Sequence, residues 1–177
     1  SIQAICEFIQ EHSSERLTLQ FLADRAGLSL FHFQRSFKAA TGVTPRQYIE
    51  SCRLARLKST LQERPVTEAV YEAGFGSPSR VYERTSRLGM TPAEYGAGGR
   101  GARISYATSE SPLGRLMLAA TDRGVCFVQF ADSDDALLTI LKAEFPHAAL
   151  QPMSVNQQPQ FQEWMAALNE HLRGKKP

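Results

Sequence analysis

The sequence predicts a two-part chain: a mainly α amino-terminal domain of two helix-turn-helix units joined by a long helix, then a small α+β subdomain of antiparallel strands with helices. Three observations predict it. Residues 1–98 keep a helical spacing of apolar side chains and repeat one set of cap and turn residues. Gly96-Ala-Gly-Gly-Arg-Gly101 then places four glycines in six residues, with no apolar period. Beyond it the apolar spacing changes from helical to strand-like.

Composition narrows the function classes. The chain has 177 residues, 42% hydrophobic and 21% charged, which is ordinary for a globular protein of one or two domains. No apolar run approaches the roughly 18 residues of a membrane span, so no membrane partner is expected. No secretory leader is apparent, and a cytoplasmic location is expected. Cys6, Cys52 and Cys126 have no paired spacing, which argues against a disulfide framework and a CxxC zinc site. All three are expected to be reduced and buried. The net charge is only +2, but it is unevenly placed. From Arg35 to Arg64 seven basic residues face only Glu50 and Glu63, whereas residues 102–177 hold seven basic against eight acidic. A polyanion partner would need the positive charge where the first region carries it.

Ile2, Ile5 and Ile9 predict a lead-in helix over residues 2–12. Ser13–Arg16 is a polar loop. Thr18 is placed to cap a second helix with apolar positions Leu19, Leu22, Ala23 and Ala26. Gly27 follows at once and can take the left-handed conformation that stops a helix. Ser29 then caps a third helix, reaching Ala40. Helix, three-residue turn with glycine, helix is the spacing of a helix-turn-helix.

That third helix has two faces. Leu30, Phe33, Phe37 and Ala40 form an apolar stripe expected to be buried. Phe31, Gln34, Arg35 and Lys38 form a second stripe with an aromatic, an amide, a guanidinium and an ammonium. Such a set can read base edges and neutralise phosphate if the helix lies in a major groove. The alternative is an ordinary amphipathic helix with a solvated basic face, in an ordinary αα-hairpin. It leaves unexplained why the cationic stripe is kept clear of the core stripe.

Gly42 closes the third helix, and Thr44-Pro45-Arg46-Gln47 restarts one with a threonine cap, proline at the first position and a glutamine completing a capping box. A long helix follows to about Gln62. Tyr48, Ile49, Cys52 and Ala55 are its expected packing positions, and Arg53, Arg56 and Lys58 are expected on a solvated or phosphate-facing side.

A second copy starts about 48 residues later. Ala26-Gly27 recurs as Ala73-Gly74, and the Ser29 cap as Ser77. Gly42-Val-Thr44-Pro45-Arg-Gln47-Tyr48 recurs as Gly89-Met-Thr91-Pro92-Ala-Glu94-Tyr95. Two such units on one long helix would set two recognition helices in successive major grooves, roughly 34 Å apart, so a monomer could bind an asymmetric site.

On these residues, and on Phe33-Gln-Arg-Ser-Phe37-Lys38, the first 98 residues resemble the AraC/XylS family of transcriptional regulators. The resemblance implies that Phe31, Gln34 and Arg35 approach bases, with Lys38 on phosphate. The second recognition stripe departs from it: Ser79, Tyr82, Glu83 and Ser86, with Thr85 in place of the core Phe37. Glu83 stands where Arg35 stood. A carboxylate there could accept from a cytosine amino group, but more often it would repel phosphate. Arg80, Arg84 and Arg87 flank it and could hold the backbone. Ser79, Arg80, Tyr82 and Arg84 are therefore expected to make weaker, less specific contacts.

After the glycine run, expected to be a flexible linker over 99–103, Ile104–Ala107, Arg115–Thr121 and Val125–Ala131 read as strands. Ser111-Pro-Leu-Gly114 and Asp122-Arg-Gly124 are turns. Ala136–Phe145 and Phe161–Arg173 read as helices, and residues 148–150 as a further strand. Asp132, Asp134 and Asp135 precede a helix, where aspartate is favoured by capping and the helix dipole, so no metal is expected there. Cys126 lies in an apolar strand with no histidine near it in sequence and is expected to be buried rather than nucleophilic.

Ser111-Pro-Leu-Gly114, Leu118-Ala-Ala-Thr-Asp-Arg-Gly124 and Phe145-Pro146 resemble the amino-terminal, ribonuclease-H-like subdomain of O6-alkylguanine-DNA alkyltransferases. Their order after an AraC-type region resembles the Ada-type adaptive-response proteins, which join a regulator to a suicidal repair enzyme. The resemblance implies irreversible alkyl transfer from a flipped guanine to a cysteine thiolate in the parent protein. That family's Pro-Cys-His-Arg segment and its four-cysteine zinc module are absent from this sequence. The chain therefore reads as an interior fragment, residues 1–98 and an incomplete 104–177, with no catalytic residue and no cofactor.

Double-stranded DNA is the expected partner, with RNA polymerase as a second candidate. A second reading makes the two helix-turn-helix units a low-specificity module that only delivers a repair domain to DNA, and Glu83 and the modest net charge fit it. A third, a ligand sensor in residues 102–177, lacks a set of convergent polar groups.

Overall fold

The computed structural model describes residues 1–77 and 88–173, which divide into two compact units, residues 1–81 and 82–177.

Local capping chemistry sets the helices of the first unit: α1 (Ile2–His12), α2 (Leu19–Ala26), α3 (Leu30–Thr41), α4 (Pro45–Leu61) and α5 (Val66–Glu72). The Ser1, Thr18, Ser29 and Thr44 side chains each accept a hydrogen bond from a free backbone N–H in the first turn that follows. At α4 the box is complete, because the Gln47 side chain also returns to the Thr44 N–H at 2.9 Å. Thr44→Ala removes the hydroxyl half of that box. It is expected to cost about 1 kcal/mol, read as a lower urea midpoint with unchanged slope.

The apolar periods converge on one core. Ile5 and Ile9 of α1, Leu22 and Ala23 of α2, Phe33 and Phe37 of α3 and Ile49 of α4 form a single buried cluster. Two members of the expected α3 stripe do not join it: Leu30 is 38% exposed and Ala40 is exposed. They sit in the first and last turns of α3, past the edges of the core. On α4, Leu57 and Leu61 are buried while Ala55 faces solvent. Cys6 and Cys52 are only partly buried, unlike Cys126.

The second unit holds α6 (Pro92–Gly96), β1 (Arg103–Ser111), β2 (Gly114–Thr121), β3 (Gly124–Ala131), α7 (Asp134–Glu144), β4 (Ala149–Pro152) and α8 (Gln158–Leu172). The sheet order is β3-β2-β1-β4. β1–β2 and β2–β3 are antiparallel hairpins, but β4 runs parallel to β1, with Ile104 opposite Leu150. The sheet is thus mixed rather than antiparallel, because α7 is a crossover that returns the chain in the direction of β1. Leu116 and Leu118 face Phe161 and Met165 of α8 in one cluster. Strand alternation turns Met117 and Ala119 to the other face. The run Gly96–Gly101 is not free chain. It is a series of turns in which the Gly99 N–H donates to Glu94 O and the Ala102 N–H to Gly99 O. Among the described residues no helix is long and apolar enough to cross a membrane, and no group of three or more His, Cys, Asp or Glu could hold a metal ion. Asp134 instead accepts from Arg115 at 2.8 and 3.0 Å and from Thr108 at 3.1 Å, which holds its carboxyl below its ordinary range, the Arg115 contact most of all.

Candidate nucleic-acid interface

α3 is fixed at both ends and along one side. Gly27 takes φ +69° and ends α2; its N–H donates to Ala23 O and Asp24 O. Ser29 accepts from the His32 N–H. At the far end Gly42 takes φ +80°, and its N–H donates to Lys38 O. On the inner side the Phe33 and Phe37 rings meet edge-on at 5.6 Å, and Phe37 meets Tyr48 of α4 at 5.5 Å. With Phe33 and Phe37 fully buried, helical geometry turns the second stripe outward: Phe31 is 69% exposed, and Gln34, Arg35 and Lys38 are all exposed. Among the described residues Arg35 and Lys38 form no ion pair. An outward aromatic, amide, guanidinium and ammonium on one rigid helix is a set able to contact base edges and phosphates without first breaking internal bonds.

Of the second expected stripe, Ser79, Arg80, Tyr82 and Arg84 lie outside the described residues, as do Glu83, Thr85, Ser86 and Arg87. What flanks them repeats the first unit. Gly74 takes φ +87° and Gly89 φ +65°, matching Gly27 and Gly42. Thr91 accepts from the Glu94 N–H while Glu94 returns to the Thr91 N–H at 2.8 Å, rebuilding the Thr44–Gln47 box.

Two arginines do work that sequence reasoning assigned elsewhere. Arg53 donates to Ser13 O at 2.7 Å and Glu15 O at 2.9 Å, and Arg56 donates to Ser14 Oγ at 2.8 Å. They brace the α1–α2 loop, and both remain partly exposed. No local pattern announces this, since the partners lie 38 to 42 residues away.

A helix-turn-helix domain family matches residues 22–98. Regulatory protein SoxS of Salmonella typhimurium is 32% identical over 99 residues, 53% of this chain and 91% of that protein. The chain belongs to the AraC-type helix-turn-helix family. The chain also resembles a solved structure, the DNA-binding domain of the global transcriptional factor AdpA in complex with a target DNA. The TM-score is 0.51 and the identity 29%, over 54% of this chain and 89% of that one. Residues 104–177 match the ribonuclease-like domain of 6-O-methylguanine DNA methyltransferase. Both halves align together with two curated proteins: "Regulatory protein ada" of Salmonella typhimurium (36% identical, 95% of this chain) and "Bifunctional transcriptional activator/DNA repair enzyme Ada" of Escherichia coli (34%, 93%). The chain spans about half the length of these two relatives, 48% and 47%.

Proposed function

We propose that this chain is the sequence-reading part of an Ada-type regulator, with an AraC-type DNA-binding domain over residues 1–98, a junction at 99–103 and a methyltransferase-type subdomain over 104–177. Its partner is double-stranded DNA. The observation that carries the reading is the outward stripe Phe31, Gln34, Arg35 and Lys38 on a helix pinned from behind by Phe33 and Phe37. Phe31, Gln34 and Arg35 meet base edges in a major groove and Lys38 meets phosphate, while Ser79, Arg80, Tyr82 and Arg84 supply the weaker second contact. The chain acts as a cytoplasmic monomer on an asymmetric site, with RNA polymerase as the further partner of an activator.

Alkyl transfer of the kind the resemblance implies would need an accessible thiolate. Cys126 is buried in β3 with its thiol on Ala119 O at 3.6 Å, and burial is the main cause raising the Cys6 and Cys52 thiols above their ordinary range.

The test is a duplex selected by the chain from a random pool. Arg35→Ala is expected to lose about 1–3 kcal/mol of affinity for that duplex and to relax selection at one position. Binding by Arg35→Ala as tight and as selective as that of the unaltered chain sinks the assignment. Glu83, a carboxylate in the place of Arg35, favours a second reading in which the module delivers a repair domain with low sequence preference. Affinities for the selected and random duplexes, compared across a salt series, separate the two: equal affinities support delivery, and a preference of a thousandfold or more supports regulation.

A further inference from the structure

The outward side of α3 is wider than the stripe of Phe31, Gln34, Arg35 and Lys38. A helix turns about 100° per residue, so the buried pair Phe33 and Phe37 fixes an inward direction and, opposite it, an outward one. Arg35 lies on the outward direction. Phe31 and Ala39 lie about 40° to either side of it, and Lys38 and His32 about 60° to either side. Gln34 lies at about 100°, nearer the core margin. His32 therefore points further from the core than one member of the stripe does, and it is exposed.

The local structure prepares His32 for contact. It is the third residue of α3, and in a helix-turn-helix the first turn of the second helix meets base edges. Its backbone is held, because the His32 N–H donates to Ser29 Oγ at 3.4 Å. Its ring is steered by Phe31, which it meets edge-on at 5.9 Å with the planes at 77°. Among the described residues no hydrogen bond or ion pair engages the imidazole nitrogens. One and two turns further on, the same edge of α3 carries Ser36 and Ala39, short side chains that let this edge lie close to a groove floor.

An imidazole carries at least one N–H donor, whichever nitrogen is protonated. In the major groove both purines present N7 as an acceptor, whereas cytosine presents an amino donor and thymine a methyl group beside its O4. A single N–H directed at N7 thus separates purine from pyrimidine. We propose that His32 is a further specificity-determining residue: its ring N–H donates to N7 of a purine close to the base pair that Arg35 reads. Three residues of helix advance about 4.5 Å and one base pair about 3.4 Å, so the two positions lie within about two base pairs of each other. The inference rests on the DNA-binding reading above.

The test uses the whole 177-residue chain and the selected duplex. His32→Ala is expected to bind about fivefold more weakly, the loss of one hydrogen bond. It is also expected to relax a purine preference at one position, within about two base pairs of the position that Arg35→Ala relaxes. A duplex with the 7-deaza purine at that position lacks the N7 acceptor and keeps the base pair. The unaltered chain is expected to bind it about fivefold more weakly than the normal duplex, and His32→Ala to bind the two equally. Because this change is made in the DNA, altered folding of the protein cannot mimic it.

Selection by His32→Ala that is unchanged at every position overturns the proposal. So does a 7-deaza penalty that persists in full in His32→Ala, or a relaxed position far from the one that Arg35 reads. A loss of affinity with selection intact places His32 on phosphate and overturns the base contact. If the unaltered chain selects no duplex, the DNA-binding reading itself fails. If Arg35→Ala relaxes a position and His32→Ala relaxes none, that reading stands and the role of His32 alone falls.

Discussion

Phe37→Ala is expected to lower the stability of the first unit by about 3–5 kcal/mol, the range for truncating a buried aromatic that leaves a cavity. Phe37 is fully buried, and its ring has neighbours on two helices: Phe33 on α3 itself at 5.6 Å and Tyr48 on α4 at 5.5 Å. Around them lie Ile5, Ile9, Leu22, Ala23 and Ile49, from α1, α2 and α4. No single side-chain rotation fills the space from three helices at once. The loss is large against a total of about 5–15 kcal/mol for a domain, so the variant sits near its unfolding threshold at ambient temperature. Far-UV circular dichroism in urea reads it. The chain's one tryptophan, Trp164, lies on α8 of the other unit, so its fluorescence reports the α+β module separately. The expected result is a helical transition at lower urea with the Trp164 transition in place. Phe31→Ala is the matched control: 69% exposed on the opposite side of α3, it should change stability by no more than about 0.5 kcal/mol while weakening DNA binding. If both variants melt like the unaltered chain, the inner and outer faces of α3 have been misassigned, and the proposed reading surface with them.

That contrast also marks what the sequence makes legible. Ser29, Thr44 and Thr91 are readable as caps because each bonds to an N–H three residues on, within one turn of chain. Gly27, Gly42, Gly74 and Gly89 are readable as turns because their positive φ is a local property that glycine meets without strain. Phe33 and Phe37 fall inward because a helical period assigns them one face, and the outward stripe follows by subtraction. The same period overreaches at Leu30 and Ala40: it says which side a residue is on, not where along the helix the core ends. Contacts across tens of residues leave no local trace. Arg53 and Arg56 look like any basic helix face until the carbonyls of Ser13 and Glu15 and the hydroxyl of Ser14 are brought to them. The Gly96–Gly101 run has the composition of a spacer, yet its positive-φ glycines are what allow backbone to lie against Pro146 and Ala148. The same residue type gives flexibility in an isolated chain and close packing when a surface is present.

Gly74→Ala is expected to cost the first unit about 2–5 kcal/mol, from two separable causes. The backbone there has φ +87°, a region that costs a residue with a Cβ about 1–2 kcal/mol. The rest is steric. The added Cβ would lie 2.6 Å from Ser14 O, 2.7 Å from Ser14 Cα and 2.9 Å from Ser14 C, all of them backbone atoms. Relief would require the α1–α2 loop to move, and that loop is held by Arg53 on Ser13 O and Glu15 O and by Arg56 on Ser14 Oγ. Gly27 separates the causes, because it has φ +69° with nothing within 4 Å of its Cβ position, so Gly27→Ala bears the conformational cost alone. The excess of Gly74→Ala over Gly27→Ala in a urea melt measures the contact. In an Arg53→Ala background the loop loses two hydrogen bonds and can retreat, so the Gly74→Ala penalty should shrink and the two substitutions should be non-additive by more than about 0.5 kcal/mol. Strict additivity, or equal costs at Gly74 and Gly27, would mean that the loop yields freely and that α4 does not brace it. The close approach of Gly74 to Ser14 would then contribute nothing to the stability of the first unit.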